Sequence, residues 1–312
     1  MNVFVAGSRS MLGRDLTAIL VLNGETVTEG KRPRFDITDA GNIERNISES
    51  SPDIVVNCAA YTTVDRAETD RGEAFAVNRD GAANIASCCA KRSIPLIHLS
   101  TDFVFDGAHE RPYREDDTPR PLNVYGESKL AGEEEVRKRC PSHIIIRTSW
   151  LYGIHGNNFV KTIIGLARKH DTIRVVDDHF GCPTWTVDLA QAVETVIGAI
   201  RDRKDAEPWG TYHFCGKGFT SWHGFAVAVV EGARSYETLR VRSVVPVSSG
   251  EYPLVAARPR WSVLDTAKIE SVMGIRPRPW QDALADMLKE LYRTGDGQQE
   301  AGSGSSKPLR ST

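Results

Sequence analysis

Tyr125 and Lys129 lie in the run Tyr125-Gly-Glu-Ser-Lys129, and on a helix that spacing places both side chains on one face. An ammonium beside a phenol favours the phenolate, so the pair is expected to draw a tyrosine pKa of about 10 toward working pH. A tyrosine so tuned exchanges a proton with an alcohol or carbonyl oxygen. Upstream, the run Ile97-His98-Leu99-Ser100 ends in Thr101-Asp102, where the Thr101 hydroxyl can hold that same oxygen. Thr101, Tyr125 and Lys129 are the candidate catalytic residues. Tyr-x-x-x-Lys alone arises often by chance, and it gains weight from what the chain places beside it.

The N-terminus supplies a partner for that chemistry. Val3-Phe4-Val5-Ala6-Gly7 runs into Ser8-Arg9-Ser10-Met11-Leu12-Gly13 and then an amphipathic segment. A turn of this kind presents helix N-terminal amides to a pyrophosphate, which makes Gly7, Ser10, Met11, Leu12 and Gly13 candidate cofactor contacts. The spacing is Gly-x-x-Gly-x-x-Gly with Ser10 in the middle place. At the end of the second strand, an acidic residue suits the ribose of NAD and a basic one suits a 2′-phosphate. The segment Glu29-Gly30-Lys31-Arg32 therefore favours NADPH through Lys31 and Arg32, while Glu29 leaves NADH open. Asp36 and Ile37 are expected to flank the adenine. Ala59, Ala60, Tyr61 and Thr62 follow Asn57-Cys58 with small residues that leave room for the pyrophosphate and nicotinamide ribose. With a dinucleotide in place, Tyr125 and Lys129 become cofactor contacts as well, the lysine gripping the ribose.

These residues work together only if one frame brings them to one edge. Short apolar runs recur at Asn2 to Ala6, Thr26 to Thr28, Ile54 to Asn57, Leu96 to Ser100 and Ile144 to Thr148. Helical spacing fills the gaps at Leu12 to Leu22, Asp39 to Glu49, Ala74 to Arg92 and Asn123 to Arg139. The alternation predicts an α/β fold, a Rossmann-like doubly wound parallel sheet. Helices over Asn158 to Lys169 and Val187 to Arg201, then shorter elements, predict a smaller C-terminal lobe against the carboxyl edge of the sheet. The expected division is 1–153, with returning segments, for the cofactor domain and mostly 154–293 for the lobe. A disordered tail is expected at 294–312, which holds almost no apolar residues.

Composition narrows the function classes. The 312 residues carry 39 Lys plus Arg against 41 Asp plus Glu, a net charge of -2 that supplies no field for nucleic acid or an anionic membrane. No apolar run approaches the roughly 20 residues of a membrane span, and the N-terminus runs into Val3-Phe4-Val5-Ala6 without a basic region or cleavage site, so a cytoplasmic protein is expected. Six scattered cysteines without Cys-x-x-Cys spacing fit thiols in a reducing cytoplasm. No Gly-x-Ser-x-Gly elbow points to a hydrolase. Glu133-Glu134-Glu135 is expected to be a solvated helix face. Trp185 and Trp222 are expected in the core, while Trp150, at a strand end, stands between core and site.

Together the residues resemble the extended short-chain dehydrogenase/reductase superfamily and, within it, the dTDP-4-dehydrorhamnose reductase family. The matching stretches are Val55-Val56-Asn57-Cys58-Ala59-Ala60-Tyr61-Thr62-Thr63-Val64-Asp65, Leu99-Ser100-Thr101-Asp102-Phe103-Val104-Phe105-Asp106-Gly107 and Pro121-Leu122-Asn123-Val124-Tyr125-Gly126. Arg147-Thr148-Ser149-Trp150, Gly181-Cys182-Pro183-Thr184 and Arg258-Pro259 extend the match to about residue 290. The resemblance implies a two-lobed fold, a Rossmann-like domain plus a smaller C-terminal substrate-binding lobe, and NADPH-dependent reduction of the 4-keto group of dTDP-6-deoxy-L-lyxo-4-hexulose (dTDP-4-dehydrorhamnose) to dTDP-L-rhamnose. Tyr125 would protonate the oxygen, Thr101 orient it and Lys129 support both. Thr101, Asp102 and Trp150 would contact the small-molecule nucleotide-sugar substrate of a monomer or homodimer.

The sequence departs from the family pattern at three places. Ser10 replaces the usual middle glycine, which is tolerable if the backbone there stays helical. Phe103 replaces a tyrosine and removes a hydroxyl near the sugar. Gly30 replaces an occasional acidic residue, which favours NADPH. Some relatives hold Mg²⁺ with acidic residues; Asp15 occupies one such place, but one carboxylate makes no site, and no metal ligands are assigned. Another sugar-nucleotide reductase or epimerase, or a non-catalytic NADP-binding subunit resembling that of methionine adenosyltransferase, remains an alternative.

Overall fold

The computed structural model describes residues 1–202, 208–252 and 254–295. Six strands pair in parallel in the order Gly210–His213, His143–Thr148, Leu96–Thr101, Ile54–Asn57, Asn2–Ala6 and Thr26–Gly30. The central runs are continuously apolar because helices cover both faces; every residue of Ile54–Asn57 and His143–Thr148 is buried. Five of the six strands carry such runs in the sequence. The sixth, Gly-Thr-Tyr-His, has no aliphatic run and becomes a strand only by pairing with Ile144 to Arg147.

Helices Met11–Leu22 and Thr186–Asp202 cover one face, sharing a core with Val3, Val5, Ile97 and Ile146. Helices Ala40–Ser50, Ala82–Lys91 and Val124–Arg139 cover the other, around Phe4, Val55, Leu96 and Ile145. The connections leave opposite faces on either side of Asn2–Ala6, which opens a crevice between the carboxyl ends of this strand and Ile54–Asn57. The single helix expected over 74–92 is broken. Arg71–Phe75 and Ala82–Lys91 flank a π-turn, Ala76–Gly81. Inside it, buried Asn78 bonds both backbone groups of Tyr61, at 2.8 and 3.0 Å, and donates to the Ser128 hydroxyl at 2.9 Å. The wide turn thereby ties the loop after the third strand to the Val124–Arg139 helix.

A second core gathers helices Phe159–Lys169, Trp222–Ala233 and Trp280–Arg293 with the parallel pair Thr172–Val176 and Ser243–Val247. Trp185 lies in this core. Leu189, Val193, Tyr212 and Ile269 come late in the chain yet pack in the core of the large sheet. Of the tail expected at 294–312, residues 296–312 lie outside the described residues.

Burial on one helix face sets a simple test. Leu20 is fully buried under the sheet and Leu22, two residues on, is 83% exposed. Leu20→Ala is expected to lower unfolding free energy by about 2–5 kcal/mol, and Leu22→Ala by less than about 0.5 kcal/mol. Urea denaturation of both variants measures the contrast.

Candidate active site

The chain leaves the first strand at Gly7 with φ +76°, and a Cβ there would lie 2.6 Å from the Ala59 amide nitrogen. Glycine alone meets both conditions without strain. Ser10 then caps Met11–Leu22, its Oγ accepting from the Gly13 amide at 3.0 Å. The helical backbone set as the condition for serine at position 10 is not what the chain adopts: Ser10 is extended, φ -64° and ψ 164°, and serine is accommodated because it is the N-cap, a position it favours. Gly13 is needed for packing, since a Cβ would strike the Gly7 carbonyl oxygen.

A cavity of about 400 Å³ opens between this turn and the ends of the second and third strands. Of the candidate cofactor contacts it gathers Gly7, Ser10, Lys31, Arg32, Ile37, Ala59, Ala60 and Tyr61. Leu12 points into the core, and the Met11 sulfur faces Asn158, whose Nδ2 is 3.7 Å away. Asp36 is spent on its own loop, accepting from the Thr38 amide at 2.9 Å and hydroxyl at 2.8 Å. Thr62 is exposed outside the cavity lining. Glu29 accepts from Lys31 at 2.9 Å and from Ser8 at 3.1 Å, and the lysine holds its carboxyl below the usual range. Arg9 also lines the cavity and escaped the sequence reading, although a cation inside the turn itself was a readable signal. Gly30 is explained by packing: a Cβ would lie 2.7 Å from Phe4, which packs on Phe35.

Thr101 ends its strand, and Asn123 starts the Val124–Arg139 helix alongside by accepting from the Gly126 amide at 2.8 Å. That places Tyr125 in the first turn and Lys129 one turn on. The Lys129 ammonium donates to the Leu99 carbonyl at 2.6 Å. The expected lowering of the Tyr125 pKa is corrected. Burial pushes the phenol up to about 12, and the neighbouring Thr101 hydroxyl offsets only part of this. Burial likewise pulls Lys129 down to about 8. Phe103 meets the Tyr125 ring edge-on at 5.6 Å. Thr101 donates to Asp102 at 3.0 Å; burial raises that carboxyl to about 6, and its Oδ2 has no hydrogen-bond partner among the described residues.

Two further expectations change. Glu133 is fully buried rather than solvated, whereas Glu134 is exposed. Trp222 is only half-buried and stacks face to face on Trp150, centroids 3.5 Å apart. Trp150 adopts φ +47°, a conformation that costs a non-glycine residue about 1–3 kcal/mol, and Gly181 lies so close that any Cβ would strike its indole. Beside Trp222, a second cavity of about 240 Å³ is lined by Phe159, Arg174, Val176, His179, Tyr252 and Arg258 among others. Asp15 is buried 3.5 Å from His155, and burial raises its pKa. Among the described residues, no three His, Cys, Asp or Glu side chains assemble as a metal site.

Residues 1–293 match the family described as the RmlD substrate binding domain. A dTDP-4-dehydrorhamnose reductase of Sinorhizobium fredii is 40% identical over 297 residues, spanning 95% of this chain and 99% of the relative. The chain belongs to the dTDP-4-dehydrorhamnose reductase family. A dTDP-4-keto-6-deoxy-D-glucose reductase of Streptomyces niveus is also 40% identical, over 92% of this chain and 96% of that protein. A crystal structure of dTDP-4-dehydrorhamnose reductase from Bacillus anthracis in complex with NADP superimposes with a TM-score of 0.86 at 35% identity, covering 93% of this chain and 99% of that one.

The first cavity fits the cofactor of this reductase family. Its glycine turn approaches Ala59 so closely that a side chain would fill the cradle, and Arg9, Lys31 and Arg32 bring cations to its lining. Gly7→Ala is expected to weaken NADPH binding about tenfold or more, because relieving roughly 1–3 kcal/mol of strain moves the turn. Fluorescence titration of NADPH checks this; an unchanged Kd would contradict the role of the turn.

Proposed function

We propose that this chain reduces the 4-keto group of dTDP-4-dehydro-6-deoxy-L-mannose to dTDP-L-rhamnose with NADPH. The observation that carries the reading is the convergence of Thr101, Tyr125 and Lys129 at the strand ends of a chain whose relatives, matched nearly end to end, bear that activity in their names. NADPH, when bound, supplies the hydride. Gly7, Ser10, Ala59, Ala60 and Tyr61 hold its backbone side, Lys31 and Arg32 its phosphate end, and Lys129 the nicotinamide ribose.

A phenol pushed up to about 12 stays protonated at neutral pH, which suits a reductase. Tyr125 needs a proton to give to the developing alkoxide, and a free phenolate would lack one. With substrate in place the Thr101 hydroxyl turns from Asp102 to donate to the same oxygen and fixes it beside Tyr125. Asp102 would accept from a sugar hydroxyl through its buried Oδ2, which has no hydrogen-bond partner among the described residues. Trp150 and Trp222 form an aromatic wall, and Arg174 and Arg258 of the second cavity bring guanidinium groups suited to a diphosphate. Six free, buried cysteines fit a reducing cytoplasm.

The Streptomyces niveus relative supports a second reading, in which the unepimerised 4-keto-6-deoxy-D-glucose nucleotide is reduced. The test follows NADPH absorbance with the dTDP-4-keto-6-deoxyhexose, with and without its 3,5-epimerase. Turnover only with the epimerase, yielding dTDP-L-rhamnose, supports the proposal. Turnover without it supports the second reading, and none in either case rejects both. Tyr125→Phe is expected to cut kcat by about 10²–10⁴-fold with NADPH affinity nearly unchanged. Joint replacement Lys31→Ala and Arg32→Ala is expected to lower the preference for NADPH over NADH by about tenfold or more, read from kcat/KM for each cofactor.

A further inference from the structure

Beneath the reacting centre lies an ionic cluster that the reduction itself does not use. Glu133 follows Lys129 by one helical turn and has no exposed surface. Its carboxylate accepts from Arg147 Nε at 2.9 Å and Nη2 at 2.7 Å, from Arg137 at 2.6 Å and from the Ser100 hydroxyl at 2.5 Å. Ser100 lies between Leu99, whose carbonyl accepts from Lys129, and Thr101. One strand end is thus bonded twice to one helix face, at successive residues and successive turns.

We propose that Glu133 is a positioning residue of the catalytic centre: it locks the Tyr125–Lys129 face against the strand of Thr101 and supplies the counter-charge that keeps buried Lys129 an ammonium. The inference rests on the roles given above to Tyr125 and Lys129. Besides the Tyr125 phenol on the same helix face, which burial keeps protonated, the titratable groups facing Lys129 are the Cys58 thiol after the third strand, the His98 imidazole on the Leu96–Thr101 strand, and Glu133. Burial keeps the first two uncharged, pushing Cys58 up to about 12 and His98 well down. Arg147 and Arg137 pair with the carboxylate itself, and the His213 ring nitrogen lies 3.5 Å from Arg147. Glu133 is therefore the charge that opposes the effect of burial on Lys129, and it stays ionised because Arg147 outweighs burial and holds it at about 2.

The experiment titrates Lys129 directly, by the shift of its ¹³Cε resonance in ¹³C-lysine-labelled, cofactor-free protein, assigned by its loss in Lys129→Arg. In Glu133→Gln the inflection is expected to fall by about one to three pH units. Because that variant strands the Arg147 charge and can fail to fold, Glu133→Gln combined with Arg147→Met is measured as well. The proposal predicts the same fall there. An inflection unchanged in either folded protein, or restored in the double variant, overturns it and leaves Glu133 as mere balance for Arg147. The alkaline limb of kcat is expected to move with the inflection. If wild-type protein turns over neither sugar nucleotide, the functional reading fails while the lysine titration still decides this one.

Discussion

A carboxylate with no exposed surface must be paired, and Glu133 meets that constraint by bonding to two strands and its own helix at once. Removing one partner of such a buried pair costs about 3–5 kcal/mol, so the helix cannot slide along the sheet by a turn without a large penalty. The register that follows is the register of the site. Thr101 pairs with Thr148 on the neighbouring strand, Asn123 caps the helix beside it, and Tyr125 and Lys129 fall opposite the strand end. The charge lies under the site and is screened from water by the same packing that desolvates Tyr125 and Lys129.

The second constraint is close approach at the crevice between the first and third strands. Gly7 and Gly13 remove the atoms that would otherwise keep the turn, the helix and the Ala59 segment apart. What remains is a groove with backbone on one side and cations at the end. The second cavity is joined to it across the chain by Arg258, which makes two hydrogen bonds to Asp65 at 2.9 and 3.1 Å, while Asn123 donates to the Ala257 carbonyl at 2.6 Å. The residues that start the catalytic helix and those that line the second cavity therefore share one bonded segment.

Burial governs where local reasoning about charge succeeded and where it did not. Spacing alone placed Tyr125 and Lys129 on one face, and they are there. The sign of the tyrosine shift was read from the lysine, yet desolvation outweighs it, and the lysine spends its ammonium on the Leu99 carbonyl. Glu133-Glu134-Glu135 looks uniform as a string, but adjacent helix positions differ by about 100° and only one of them faces Arg147. Trp222 is an ordinary core aromatic in the sequence; its stacking on Trp150 depends on a strained backbone at Trp150 and a glycine at 181.

The sequence by itself determined the parallel frame, the glycine turn and the Tyr125–Lys129 pair, because each is encoded by periodicity or spacing over short stretches of chain; the family followed from the likeness of longer runs along nearly the whole chain. Tertiary structure alone decided the sixth strand, which exists only through its pairing with Ile144 to Arg147. It also decided that Ser10 is an N-cap, that Asp36 serves its own loop, and which way the buried acids and bases titrate. Those outcomes depend on partners far along the chain and on exclusion of water, and neither quantity is carried by the identity of a residue and its neighbours in sequence.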